Sequence, residues 1–201
     1  MNFTRAHKIL LIASSLWFFG EGLFTPLFAV FSEKIGGDIL DLTWALSLYL
    51  VLTGILYIVF GKLLQNSKHK EVALVIGYLL NTVFTFSYIL VHNSKQLFIL
   101  QIGLAIAEAL STPIWDSLFA KYLERNDDSF FWGIAGGHSQ LISGIAIAIG
   151  GLVIYYFSFN LLFIIMGCIQ LTATIVQTAL LFNKAAIARL KAEAEAAEGL
   201  E

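Results

Sequence analysis

The chain has 201 residues, of which 58% are hydrophobic and only 13% charged, with a mean hydropathy of +0.81. A water-soluble domain carries about 25% charged residues, so the solvent of most of this chain is lipid, and a soluble enzyme or a nucleic-acid binder is excluded. The formal net charge of -2 says little, because in a membrane the placement of charge matters more than its sum.

A helix crossing the hydrocarbon layer needs about 20 mainly apolar residues, and six runs qualify: 9–31, 44–64, 72–91, 97–122, 131–157 and 159–182. Span one follows Arg5 and Lys8 as the apolar core of a signal peptide would. Its length and its mid-span Glu21 and Pro26 mark it as a retained span. The connections are short, with 33–43 between spans one and two and 65–71 between spans two and three the clearest. After span six the stretch 184–201, rich in Ala, Glu and Lys, has high helix propensity and no apolar face. It reads as a solvated extension, and Leu200 and Glu201 are set aside as a candidate cloning scar. Cys168, the one cysteine, excludes an internal disulfide and is read as a packing residue.

Basic residues set the expected orientation. With both termini cytoplasmic, Arg5, Lys8, Lys62, Lys68, Lys70, Lys121, Arg125, Lys184, Arg189 and Lys191 lie inside and only Lys34 and Lys95 outside, as the positive-inside rule favours. The expectation is a multi-pass protein of a plasma or bacterial inner membrane.

The chain also matches itself. Glu21-Gly-Leu23-Phe-Thr25-Pro26 in span one recurs as Glu108-Ala-Leu110-Ser-Thr112-Pro113 in span four, an offset of 87 that places both prolines of the chain at equivalent points. At an offset of 90, Ser47, Gly54 and Gly61 of span two correspond to Gly137, Gly144 and Gly151 of span five, and Gly77 of span three to Gly167 of span six. The reading is two three-helix repeats, 1–93 and 94–183, inverted because an odd number of crossings separates them, with 184–201 as a polar tail.

Small residues at every seventh position share one side of a helix and admit a neighbouring backbone. Spans two and five are therefore expected to be contact helices, either inside one bundle or against a second copy. Pro26 and Pro113 lack the amide that would bond Gly22 and Ala109, which favours a bend in each helix. Freed carbonyls at that depth must meet protein or a watery cavity.

Glu21 and Glu108 sit mid-span, where an ionised carboxylate costs a few kcal/mol, so each must face the bundle interior, hold a partner or stay protonated. Thr25 lies one turn beyond Glu21; Thr112 and Asp116 lie one and two turns beyond Glu108. Ser14 and Trp17 extend one polar stripe and Gln101 the other, so together they are candidates to line a solute or proton path. His138 in span five is a candidate relay, and Asp116 has a structural ion pair with Lys121 or the basic connection as its rival role. Asn81, Gln140, Gln170 and Gln177 read as packing groups that bond across helices, with Gln140 the strongest exception. There is no phosphate loop, no dinucleotide turn and no Cys/His spacing for a metal, so no cofactor is expected. Ser143 near His138 gives only a weak hint of hydrolase chemistry.

The basic connection, Gly61-Lys-Leu63-Leu-Gln65-Asn-Ser-Lys68-His69-Lys70, is similar to the Gly-x-Leu-x-Asp-Arg-x-Gly-Arg-Lys signature of the major facilitator superfamily. Gly61, Leu63 and Lys70 match and His69 stands for Arg, while Gln65 and Lys68 depart from the pattern. Span four, from Gln101 through Pro113, Trp115, Asp116 and Lys121, resembles the fourth helix of that superfamily without its early Arg. Span five carries Ala146-Ile147 where exporters of the superfamily have Gly-Pro. The chain thus resembles one six-helix half, the amino-terminal type, of a fold that normally has two halves around a solute. The resemblance implies that helices one and four line the cavity while helices two and five face the other half. The expected function is a half-size secondary transporter of a small solute, a homodimer working by alternating access with protons as candidate coupling ion. A non-transporting scaffold and a subunit of a heteromeric transporter are the rival readings.

Overall fold

In hydrocarbon every backbone N–H and C=O must be satisfied within its own segment, and each apolar run accordingly forms a helix. The computed structural model describes residues 4–121 and 128–198, and the side chains of all of these except 128 and 184–198. Helix α1 (Arg5–Phe24) begins where the Thr4 hydroxyl accepts the His7 amide at 3.3 Å, passes through a 3-10 turn at Thr25–Leu27, and continues as α2 (Phe28–Lys34). Helix α3 (Ile39–Leu64) is opened by a reciprocal cap in which Asp38 accepts from the Asp41 amide and Asp41 from the Asp38 amide. Then come α4 (Lys70–Ser87) with a closing turn at Tyr88–Leu90, α5 (Ser94–Lys121), α6 (Asp128–Tyr156) and α7 (Phe159–Glu198).

Six of these stretches are long and apolar enough to cross a membrane, and they coincide with the six apolar runs to within a few residues at each end. The predicted tail continues α7 as helix to Glu198. Its side chains, like Tyr122, Arg125, Leu200 and Glu201, lie outside the described residues.

The two prolines behave differently. Pro26 converts the helix to a 3-10 turn, as expected of a residue with no amide to give. Pro113 stays inside the uninterrupted α5, so only the first of the two prolines interrupts its helix.

Packing is centred on five helix pairs: α1 lies against α6 and α7, α5 against α3 and α4, and α4 against α7. Exchanging spans one with four, two with five and three with six maps this pattern onto itself. The burial of the spans follows the same exchange: their most apolar stretches are 50% and 56% buried in spans one and four, 11% in both two and five, and 44% in both three and six. An aromatic cluster of Phe24, Phe28, Phe31, Tyr88, Phe159 and Phe163 fills the core toward the α2 end. A second cluster, including Leu10, Leu74, Ile114 and Phe119, fills it toward the opposite, basic end. There the buried His7 ring lies edge-on to Phe119 at 5.3 Å and stacked on Phe131 at 5.7 Å, which makes it part of the core.

Close helix contact inside the bundle does not use the glycine ladders. A side chain at Gly150 would collide with the Leu23 carbonyl, and one at Gly22 would meet Ala146 and Ser143, so α1 and α6 meet along Gly22, Ser143, Ala146 and Gly150. A side chain at Gly54, Gly61, Gly137, Gly144 or Gly151 would meet nothing within 4 Å, and Ser47 is exposed. The internal-packing reading of the ladders is thereby corrected: both sit on the outer faces of α3 and α6. Cys168 is likewise exposed and does not serve as a core packing residue.

Candidate functional site

Glu21 on α1 and Glu108 on α5 face the same space. A cavity of about 560 Å³ runs between the helices, lined from α1 by Ser14, Trp17, Glu21 and Thr25 and from α5 by Gln101, Glu108, Thr112 and Asp116. Tyr49 of α3, Tyr78 and Asn81 of α4, and Trp132 and Gly136 of α6 complete much of the wall. The structure therefore brings together eight of the nine residues read as a pathway from the sequence. His138 is the exception and stands behind the wall, where its Nε2 lies 3.2 Å from the Ser14 hydroxyl and its Nδ1 3.1 Å from the Ile134 carbonyl. Its neighbour Gln140 is exposed, and Ser143 packs against Gly22, so the serine bonded to His138 is Ser14.

Each carboxylate is held by groups from other helices. Glu108 accepts hydrogen bonds from the Tyr57 hydroxyl at 2.7 Å and the Tyr49 hydroxyl at 3.0 Å, both on α3, and from Thr112 one turn along α5 at 3.4 Å. Glu21 accepts from Asn81 Nδ2 at 3.2 Å and Gln170 Nε2 at 3.3 Å. The same Gln170 nitrogen donates to the Trp17 carbonyl at 3.2 Å, which ties α7 to α1 at this level. All these donors are neutral side chains, so they orient the carboxylates without cancelling charge.

Around the bend, the Thr25 hydroxyl donates to the Glu21 carbonyl at 2.8 Å, a local bond of the kind that accompanies helix distortion. Toward the basic end, Lys70 Nζ donates to Ser117 Oγ at 3.0 Å, linking the connection after span two to the residue beside Asp116. Trp115 Nε1 donates to the Leu10 carbonyl at 3.2 Å, bridging α5 and α1 below the carboxylates.

Sequence reasoning missed Tyr49 and Tyr57 altogether and treated Asn81 and Gln170 as packing groups. The two tyrosines, eight residues apart, lie on roughly one side of a helix, a pattern visible in the sequence but uninformative until Glu108 is known to face it. Asn81 and Gln170 are buried and do cross between helices, to a carboxylate. Gln177 also is buried, and neither of its side-chain polar atoms has a partner.

Six membrane-spanning helices around a cavity bearing two intramembrane carboxylates define a multi-pass membrane protein of transporter type. The sequence profile of the Major Facilitator Superfamily matches residues 10–199, and the chain belongs to that superfamily. A search of curated proteins finds none that matches the chain.

Proposed function

We propose that the chain is one half of a secondary transporter, that two copies pair about a two-fold axis around a shared solute path, and that Glu21 and Glu108 lie in the solute or proton route. The observation that carries this reading is that both membrane-buried carboxylates line one cavity of about 560 Å³. Volumes of this order suit small organic ligands. Two further features support it. The contact pattern, unchanged when spans one to three are exchanged with four to six, favours an origin in two inverted three-helix repeats. The exposed ladders Ser47, Gly54, Gly61 and Gly137, Gly144, Gly151 give α3 and α6 outer faces suited to close helix contact with a second copy. In this reading both termini are cytoplasmic and the basic residues lie on the inner side.

A scaffold that had lost turnover has no need of a polar space deep in the membrane, and the cost of keeping charged groups there favours transport. The test is flux in proteoliposomes with an imposed proton gradient and a panel of solutes. Solute uptake is expected to fall at least tenfold in Glu21→Gln and in Glu108→Gln. Unchanged uptake in both variants would remove the proposed roles, and no flux of any solute together with capture of a protein partner would favour the scaffold.

A further inference from the structure

The wall of the cavity combines three properties. Its described lining holds three carboxylates, Glu21, Glu108 and Asp116, and no Lys, Arg or His. It is strongly aromatic, with Trp17, Tyr78, Tyr88, Trp115 and Trp132 all reaching it. It also contains Gln101, which is 3% exposed, lines the space two turns from Glu108, and has no hydrogen-bond partner among the described residues. A carboxamide that faces a cavity without a protein partner is open to bond whatever enters it.

We propose that the cavity binds organic cations that carry aromatic or apolar surface, with the charge held between Glu21 and Glu108 and a polar substituent met by Gln101. The donors to the two glutamates are neutral, so an ionised carboxylate there lacks a protein counter-charge, and a cation entering from outside supplies one where lipid makes the unpaired charge expensive. Aromatic faces attract the same cation through their quadrupole and cover its apolar surface. An anion would find no cationic side chain in the described lining and would be repelled by its carboxylates. A strongly hydrated inorganic ion would leave the aromatic lining unused and the volume mostly unfilled.

Movement of a bound cation across the membrane rests on the transporter reading, whereas binding itself is separable from turnover. The test is equilibrium dialysis of the purified chain in neutral detergent against tetraphenylphosphonium and tetraphenylborate, ions of the same shape and opposite charge, with uptake by empty micelles subtracted. Saturable binding of the cation is expected, at least tenfold tighter than that of the anion. The preference should be lost in the Glu21→Gln, Glu108→Gln double variant that elutes and unfolds like the parent. Equal binding of both ions, no saturable binding, or a preference that survives the double variant would overturn the proposal. If the double variant does not fold, the comparison of the two ions on the parent chain decides alone. Ethidium, an aromatic cation with amino groups, tests Gln101: Gln101→Leu should weaken ethidium several-fold and leave tetraphenylphosphonium unchanged, and equal effects on both cations would remove Gln101 from the site. Cation binding without flux would refute the carrier reading and leave the site standing, whereas flux of a neutral or anionic solute without cation binding would do the reverse.

Discussion

Glu108 accepts from two tyrosine hydroxyls, at 2.7 and 3.0 Å, and each bond spares a partly buried acceptor the cost of standing unpaired. Removing the shorter one in Tyr57→Phe should destabilise the protein by about 1 kcal/mol, in line with hydrogen bonds measured inside membrane proteins. The double variant Tyr49→Phe, Tyr57→Phe should cost more than the two singles together, because it leaves the carboxylate only Thr112 at 3.4 Å. Thermal unfolding in detergent checks both, and the Tyr57→Phe effect should shrink when Glu108 is already Gln. Simple additivity, with no change in the Glu108→Gln background, would show that the tyrosines act elsewhere. Glu21 and Glu108 were legible in the sequence because a mid-span acid has few affordable environments. Their partners were not: a tyrosine, asparagine or glutamine in a span is common enough to be packing, and nothing local in the sequence says which helix it crosses to.

At the scale of the helix, the same residue type does opposite things on α6. Gly150 lies against the Leu23 backbone, whereas Gly144 has nothing within 4 Å of where its side chain would stand. Gly150→Leu should therefore force α1 and α6 apart and cost about 1–3 kcal/mol or more, read as a lower unfolding temperature of the single chain. Gly144→Leu should leave that temperature unchanged and weaken only association between copies, seen as a shift toward monomer in sedimentation. If both variants unfolded early, the division of α6 into an inner and an outer face would be wrong. The seven-residue ladders were visible from the sequence, yet the stripe used inside the bundle, Ser143, Ala146 and Gly150, was not. In so apolar a helix a serine, an alanine and a single glycine carry little contrast, and their use depends on where the neighbouring α1 crosses. Pro113 shows the same limit, since the lost amide is absorbed within α5 while Pro26 ends a helix.

For the molecule as a whole, the six spans and their order followed directly from apolar run lengths, because hydrocarbon permits few other backbone solutions. What the runs left open is which spans are peripheral. The structure answers that with α3 and α6, whose most apolar stretches are each 11% buried, so two large lipid-facing or partner-facing surfaces remain. In a two-fold pair, span two of one copy meets span five of the other, and the reciprocal contact forms at the same time. A chain with Cys168→Ser and cysteines at Gly54 and Gly144 tests this, since both positions are free of neighbours within the protomer. Mild oxidation in native membranes should give a covalent dimer in high yield, because a disulfide needs Cα atoms within about 7 Å and the ladders permit that approach. Either cysteine alone should give little, as each would then face a glycine across the interface. A chain that stays monomeric with both cysteines present would separate the exposed ladders from self-association and leave a different six-helix protein as the partner for these faces.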